Sequence, residues 1–283
     1  MSKLIACIDA SRIAPAVCDF AAWASRRMDA PLEFLHVLPR AGRPLATDLS
    51  GNIGLGSQEH LLQELAELDE KRGRLALEQG RHLLDAAVAR ARAAGVATPA
   101  GRQRHGDLVD TLRELEGEIR LLVMGREGED GERLGEHIGS HLENTVRTLH
   151  RPILVVPAEY TEPQRILVAF DGSATTRKAV EMVAESPLFR GLPVHVVTVG
   201  PDKSDTHAQL TWAQGTLAGA GFDVTTQVLQ GSVEEALCAY RTEHAIDLIV
   251  MGAYGHSRIR EFFVGSTTAR LIRLSKIPLL LLR

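Results

Sequence analysis

The chain has few cysteines and few aromatic residues, and its histidines are scattered. Cys7, Cys18 and Cys238 form no CxxC pair, and each has apolar neighbours. The pattern predicts buried free thiols and does not favour disulfides or a zinc site. His36 and His195 fall inside predicted strands, where a hydrogen-bonded core or edge histidine is more common than a metal ligand. The sequence therefore predicts no metal site.

The chain also lacks a strong charge of one sign and any long apolar run. Its formal net charge is −4 over 283 residues, so composition gives no general attraction to nucleic acid or to an anionic membrane. No apolar run approaches the roughly 20 residues of a membrane helix, and Asp9 comes too early for a signal peptide. We expect a cytoplasmic protein with neither nucleic acid nor membrane as a partner.

Two catalytic motifs are absent as well. The sequence contains no Gly-x4-Gly-Lys-(Ser/Thr) run of a P-loop ATPase and no Gly-x-Ser-x-Gly nucleophile elbow. Phosphoryl transfer needs a positioned metal ion and a group that orients the nucleophile, and the sequence offers no clear candidate for either. We expect no catalytic residues and do not predict an enzyme; slow ATP hydrolysis or autophosphorylation stays open.

The sequence contains an internal repeat: two copies of one α/β unit. Its length and its 45% hydrophobic content suit about two domains with substantial cores. Four landmarks recur in the same order: a strand followed by Asp and Ser, a strand followed by two glycines, a Gly-Ser helix start and a Pro-led strand. The polar segment 158–164 forms the seam, which predicts domains at 1–157 and 164–283. The paired landmarks are 4–11 and 166–173, 121–128 and 248–255, 139–140 and 265–266, and 152–157 and 278–282.

Within each half, apolar β-branched runs alternate with amphipathic helical patterns. This alternation is typical of a parallel sheet with helices on both faces. Strand five is short and apolar in both halves, and such an edge invites pairing with another strand. The predicted strands lie near 3–8, 32–38, 97–104, 119–124 and 153–156, and then near 165–170, 193–199, 222–229, 247–251 and 279–282.

Residues 248–283 carry the most specific pattern. An apolar run at 248–251 predicts a buried strand. Gly252 and Gly255 follow it, and Gly265-Ser266-Thr267 stands where a helical pattern begins. Glycines allow close backbone approach, and a serine at a helix start leaves amides that attract an anion. The pattern predicts a phosphate site, with the alternative that the glycines only turn the chain.

The spacing Gly252-x2-Gly255-x9-Gly265-Ser266 resembles the nucleotide-binding motif of the universal stress protein family. Because the unit is repeated, the whole chain is similar to a tandem, two-domain member of this family. The resemblance implies two five-stranded parallel sheets in the order 3-2-1-4-5, a fold like that of the adenine nucleotide alpha hydrolases. It implies a stress-response protein that binds ATP or another adenine nucleotide and acts as a nucleotide-dependent regulator; an accompanying Mg²⁺, held mainly by phosphates and water, stays open. It also implies pairing of the two fifth strands as an intramolecular pseudo-dimer; a homodimer of whole chains stays open.

The order 3-2-1-4-5 places the ligand crevice between strands one and four, because ligands of open α/β sheets bind where the winding reverses. The resemblance implies that Asp171, with Gly172, faces the adenosine and that backbone near Val197 and Thr198 reads the adenine edge. Asp171 and its first-half counterpart Asp9 could instead stabilise the turns that lead into the helices after them. The resemblance further implies that Gly252 and Gly255 line the ribose and first phosphates. It implies that the distal phosphates are held by Gly265, Ser266 and Thr267. The corresponding nucleotide-binding residues of the first half are Asp9, Gly125, Gly128, Gly139 and Ser140.

The two halves are not equivalent at this site. Ten residues separate Gly128 from Gly139, one more than the family spacing, and the first-half loop contains five carboxylates, Glu127 among them. Carboxylates oppose anion binding by repulsion, whereas the second-half loop has the basic pair Arg258 and Arg260. We therefore predict that nucleotide binds mainly in the second half. The alternative function is an interaction scaffold that binds no nucleotide.

The first half also carries an insertion. Residues 41–57 are rich in Gly, Pro, Ser and Asp and predict a mobile loop near the crevice. A helical pattern follows from Gln58 to Ala94, which would be about 55 Å long if unbroken, with Gly73 and Gly80 as candidate breaks. Such a helix can serve a partner, but covering its own sheet is the commoner use.

Overall fold

The computed structural model of the chain describes residues 2–39, 55–128, 140–253 and 266–283. Each strand in these ranges begins and ends within three residues of the bounds predicted for it. The strands are β1 (Lys3–Cys7), β2 (Leu32–Leu38), β3 (Ala100–His105), β4 (Ile119–Gly125), β5 (Ile153–Val156), β6 (Ile166–Ala169), β7 (Val194–Val199), β8 (Val224–Leu229), β9 (Leu248–Gly252) and β10 (Leu279–Leu282).

Within the described residues the strands form one sheet in the order β3-β2-β1-β4-β5-β10-β9-β6-β7-β8. Each half has the expected order 3-2-1-4-5, with parallel neighbours. The two fifth strands pair antiparallel, with Leu154 opposite Leu280. Two short apolar edges thereby satisfy each other's backbone groups, and two sheets become one.

Helices cover both faces of this sheet. In chain order they are α1 (Ala14–Met28), α2 (Leu55–Ala93), α3 (Leu108–Leu115), α4 (Ser140–Thr148), α5 (Ala174–Glu185), α6 (Ser204–Gly219), α7 (Val233–Glu243) and α8 (Ser266–Leu274). The cluster on one face contains Trp23 of α1 and Val183 of α5, and the other contains Leu112 of α3 and Leu271 of α8. Both cores therefore continue across the seam, and the predicted domain bounds of 1–157 and 164–283 stay a prediction. No helix in the described ranges is long and apolar enough to cross a membrane.

The long helix of the first half is unbroken. α2 begins at Leu55 and ends at Ala93, so the helix includes positions 55–57, which the sequence assigned to a loop. The predicted breaks at Gly73 and Gly80 do not occur, because a single glycine costs a helix only about 1 kcal/mol relative to alanine. The rest of the predicted loop, 41–54, lies outside the described residues.

The packing that holds α2 begins at Gly80, where the helix crosses β2 and β3. A Cβ at Gly80 would lie 2.2 Å from Nε2 of Gln103 and 2.7 Å from Cδ2 of His36, so the missing side chain allows this close approach. Beyond it, Leu84 and Ala91 are buried against the sheet. Among the α2 side chains that the structure describes, from residue 63 onwards, the part from Gly80 covers the sheet.

The cysteines are free, as predicted, but only Cys18 is fully buried. Burial raises the pKa of Cys18 to about 12, so this thiol stays protonated. Cys7 and Cys238 are partly exposed, which corrects the prediction of three buried thiols. Among the described residues there is no cluster of three His, Cys, Asp or Glu side chains that could hold a metal ion.

The two strand histidines are hydrogen-bonded inside the fold, as predicted. The Nδ1 atom of His36 lies 2.9 Å from the carbonyl oxygen of Ile8, and Nδ1 of His195 lies 2.9 Å from the hydroxyl of Tyr240. Both are therefore structural residues of the sheet.

We expect His195 to make the fold less stable as the pH falls. Burial lowers the pKa of His195 below its ordinary 6.5, His244 and Arg165 lower it further, and Asp223 opposes them. As the pH falls, the His195 imidazole is therefore protonated in the unfolded chain before it is protonated in the folded one. The stability that depends on a neutral imidazole is therefore fully present above pH 6.5 and is lost as the pH falls through 6.5 towards the folded pKa.

Urea unfolding at about pH 7.5 and about pH 5 measures this effect. His195→Gln should show a smaller loss of unfolding free energy between the two pH values than the unsubstituted chain. His105→Gln, at an exposed position of β3, is the matched control and should leave the loss unchanged. Equal losses in all three proteins would contradict the assignment.

Candidate functional site

The first-half site lies beyond the carboxyl ends of β1 and β4. These strands pair in parallel with Ala6 opposite Val123, so Asp9 and the glycine pair follow them at the same edge of the sheet. A Cβ at Gly128 would lie 3.0 Å from Oδ2 of Asp9, which is as tight as real Cβ contacts become. The structure thus brings Asp9 and Gly128 together, and glycine allows the backbone to approach the carboxylate this closely.

The Asp9 carboxylate has a second role at the start of α1. Its Oδ1 accepts the backbone amide of Ser11 at 3.1 Å and also the Ser11 hydroxyl. One oxygen therefore closes the helix-entry turn while the other is next to the glycine loop. The helix-entry role and the position at the crevice coexist in this residue.

Asp171 holds the same kind of turn in the second half. Its Oδ1 accepts the amide of Ser173 at 3.0 Å and the hydroxyl of Thr176 at 2.7 Å. Ser173 in turn caps α5 by accepting the amide of Thr176. Asp171 is exposed. Gly172 beside it has a φ of +74°, and a Cβ there would lie 1.8 Å from Oε1 of Gln209.

An aromatic stack sits beside this turn. The rings of Phe170 and Trp212 are 6.2 Å apart and inclined by 22°, and the guanidinium carbon of Arg177 lies 4.6 Å from the Trp212 ring centroid. The stack joins α5 to α6 and holds Gln209 over Gly172. The sequence analysis missed this contact, although Trp212 is one of only two tryptophans in the chain.

The end of β7 differs from its predicted role in one respect. Val197 is 1% exposed, and its carbonyl accepts the amide of Phe170 at 2.9 Å, so this carbonyl is already used within the sheet. The hydroxyl oxygen of Thr198 is buried and has no hydrogen-bond partner among the described residues. A buried hydroxyl of this kind is uncommon and suits a polar ligand.

The start of α8 lies beside the end of β9. α8 begins at Ser266, as predicted, and the hydroxyl of Thr268 donates to the carbonyl of Gly252 at 3.4 Å. The strand end and the first helical turn therefore lie together. α4 likewise begins at Ser140. Gly255, Gly265 and Gly139 lie outside the described residues.

The charge argument against the first half is wrong for Glu127. Its carboxylate pairs with Arg12 at 3.2 Å and with Arg126 at 3.0 Å, so its repulsion of an anion is compensated. A count of charges along the loop could not show this, because Arg12 follows a different strand. The loop's other carboxylates lie outside the described residues.

Arg126 also links the two halves. Its Nη1 donates to the carbonyl of Ser275 at 2.8 Å and to that of Arg273 at 3.4 Å, at the carboxyl end of α8. Arg283 donates to the carbonyl of Arg147 in α4. Each helix that follows a candidate phosphate loop thus ends against an arginine of the other half, where a cation is favoured by the helix dipole.

Comparisons with known proteins agree with this fold. The model of the universal stress protein family matches residues 1–157 and 205–283. The universal stress protein Slr1230 of Synechocystis is 35% identical over 287 residues, with 100% of both chains covered. A universal stress protein structure from Archaeoglobus fulgidus has a TM-score of 0.70 and 20% identity, covering 99% of this chain and 96% of that one, and supports the fold. The chain belongs to the universal stress protein family.

Proposed function

We propose that the chain binds ATP or another adenine nucleotide in the crevice between strands one and four of its halves, mainly in the second. The carrying observation is that a Cβ at Gly128 would lie 3.0 Å from Oδ2 of Asp9. It supports the proposal because Gly128, whose bare backbone can meet a ligand, lies beside a strand-one aspartate. The second half repeats the strand order and the landmarks and has the family's spacing, so Asp171 and Gly255 are the corresponding pair.

The residues present fit an adenine nucleotide. The space at Gly128 is one that a Cβ would fill, and the Thr198 hydroxyl is buried without a described partner. In this proposal Asp171 faces the adenosine, and Gly252 lines the ribose and first phosphates. Amides at the start of α8 hold the distal phosphates, where the helix dipole favours negative charge. Mg²⁺ accompanies the phosphates, bound mainly by them and by water.

The role proposed for this binding is regulatory and not catalytic. The pairing of the fifth strands supports an intramolecular pseudo-dimer, and the Arg126 contacts join the end of α8 to the first half. Nucleotide at the start of α8 therefore acts on a helix whose other end contacts the opposite domain. We propose that a cytoplasmic partner in a stress response senses the resulting change.

The second candidate function is a scaffold of the same fold that binds no nucleotide. The bonds from Ser173 and Thr176 to Asp171, and the Gln209 side chain over Gly172, favour it. These contacts satisfy the second-half turn without a ligand. A nucleotide at this site would require Gln209 to share or leave its position.

Calorimetric titration of ATP tests the proposal and separates the halves. Gly265→Glu should weaken binding in the second half at least about fivefold, because like charges about 4 Å apart repel by roughly 1–4 kcal/mol. Gly139→Glu should affect only the first half. Gly219→Glu and Gly117→Glu are the matched controls, since both positions open into free space, and both should bind like the unsubstituted chain.

The same titration with ADP and AMP identifies the preferred ligand. Denaturing the purified protein and separating the supernatant by chromatography shows whether an adenine nucleotide was carried along. A chain that releases no nucleotide and takes up none of the three at millimolar concentration would be the scaffold.

A further inference from the structure

The seam, residues 158–164, contacts both halves of the chain. The ring of Tyr160 packs edge-on against that of Phe20 in α1, with the ring centroids 4.8 Å apart. Further along, Oδ2 of Asp247 accepts the backbone amide of Gln164 at 3.0 Å and that of the next residue at 3.1 Å. A peptide without helix or strand is therefore held at two points, an aromatic contact and a carboxylate.

The internal repeat supplies a second pair of such points. Counted from the aspartate that follows strand one in each half, Phe20 of α1 corresponds to Met182 of α5. Counted from the apolar run of strand four, Asp247 corresponds to Arg120. Met182 and Arg120 line a single cavity of about 460 Å³. This cavity, here called the counterpart cavity, therefore corresponds through the repeat to the surface that the seam covers.

The counterpart cavity has the size of a ligand pocket, for which the usual range is roughly 300–1,000 Å³. It is separate from the proposed nucleotide crevice, because Arg120 and Pro152 lie at the amino ends of β4 and β5 and the crevice lies beyond the carboxyl ends. The apolar residues that line the cavity with Met182 include Met28, Pro152, Leu188 and Leu280. A ligand that fills it should therefore have an apolar part.

The charge at the second point is reversed. Asp247 accepts hydrogen bonds from the seam, whereas the guanidinium of Arg120 can only donate them. A carboxylate is the group that matches a guanidinium, and Arg120 is exposed and within reach of a ligand. A peptide that fits the counterpart cavity should therefore carry an acidic side chain where the seam presents its amides.

The other charged residues of the cavity do not select a charge by themselves. Lys178, Glu181 and Glu185 of α5 line it and are exposed. Together with Arg120 they give two charges of each sign. A peptide is therefore selected by the position of its acid near Arg120 and not by its total charge.

We propose that the counterpart cavity binds a segment of a partner protein in the way that the seam is bound. An aromatic side chain of the partner packs on Met182, whose thioether makes favourable contacts with rings. An acidic side chain four residues further along pairs with Arg120, at the spacing that separates Tyr160 from Gln164 in the seam. The occupant is a peptide because a peptide covers the corresponding surface. The inference does not depend on nucleotide binding.

Fluorescence anisotropy of a labelled peptide titrated with the full chain tests the proposal. The peptide has the sequence of residues 157–164 with Gln164→Glu, an amidated end and an amino-terminal label. We expect weak binding, with a dissociation constant on the order of 100 µM, because one ring and one charge pair provide most of the contact. Arg120→Glu in the protein should weaken it roughly fivefold, since an attraction becomes a repulsion. A peptide with Gln164→Lys should show the opposite preference and bind the Arg120→Glu protein more tightly than the unsubstituted chain.

Two controls separate this contact from general attraction. Arg113→Glu makes the same charge change on α3, which packs on the opposite face of the sheet, and should leave binding unchanged. A peptide that also carries Tyr160→Ala should bind at least about fivefold more weakly, because it lacks the ring that packs on Met182. Circular dichroism checks that both protein variants keep the helical content of the unsubstituted chain.

Three results would overturn the proposal. The first is an acidic peptide that does not bind at about 1 mM protein, roughly ten times the expected dissociation constant. The second is binding that Arg120→Glu and Arg113→Glu affect equally, which would place the peptide elsewhere on the chain. The third is a lysine peptide that does not prefer the Arg120→Glu protein.

Discussion

Replacing Leu154 by aspartate should lower the free energy of unfolding by about 3–5 kcal/mol, the cost of an unpaired buried charge. Leu154 is 0% exposed and lies opposite Leu280, on the strand pair that joins the two halves. The carboxylate would be buried in the continuous core, where desolvation disfavours its charged form. Urea unfolding followed by circular dichroism measures the loss.

The two tryptophans report whether Leu154→Asp destabilises both halves. Trp23 is buried in the first half and Trp212 stacks in the second, so single-tryptophan variants report on each half separately. With Leu154 intact we expect tryptophan fluorescence and circular dichroism to give one midpoint within each single-tryptophan variant, because the sheet is continuous. With aspartate at position 154 the two midpoints should fall and separate. Gln227→Asp, at an exposed position of β8, is the matched control. Midpoints as high in Leu154→Asp as in this control would contradict the role of the pairing.

Replacing Arg126 by methionine should cost roughly 1–3 kcal/mol, the range for hydrogen bonds made by a charged group. The change removes the two donations to the end of α8 and one partner of Glu127, while methionine keeps much of the apolar side-chain stem. Because the sheet is continuous, the loss should appear at the Trp212 reporter of the second half as well as at the Trp23 reporter of the first.

Arg113→Met is the control for Arg126→Met, since Arg113 is an exposed arginine of α3. It should change the midpoint of neither reporter. If Arg126→Met left the midpoints of both reporters unchanged, the contact with α8 would be energetically unimportant. Equal effects of Arg126→Met and Arg113→Met on the midpoints would show that the contact of Arg126 with α8 does not stabilise the fold.

Local patterns sufficed for the strands, for the repeat and for the start of α8 at Ser266. Each depends on residues that are close in sequence: an apolar run predicts a buried strand, and a serine before a periodic segment predicts a helix start. The sheet order in each half came from the resemblance to the family, and the comparisons show that membership. The position of the crevice follows from that order.

Long-range contacts were not predictable in the same way. Glu127 looked repulsive in a count of loop charges, yet it pairs with Arg12, which follows β1. The expectation that backbone near Val197 reads the adenine edge did not include the bond from the Phe170 amide to the Val197 carbonyl. The contact of Arg126 with the carboxyl end of α8 was not predicted either. None of these partners is a sequence neighbour of the residue it contacts.

The sequence by itself therefore determined what this chain is built from: two copies of one α/β unit, with glycines and aspartates after the strands. The tertiary structure decided how those copies meet, which charges are compensated and which part of α2 covers the sheet. The physical reason is that hydrophobic periodicity acts over a few residues, whereas ion pairs, helix-end contacts and strand pairing depend on distances that exist only once the chain has folded.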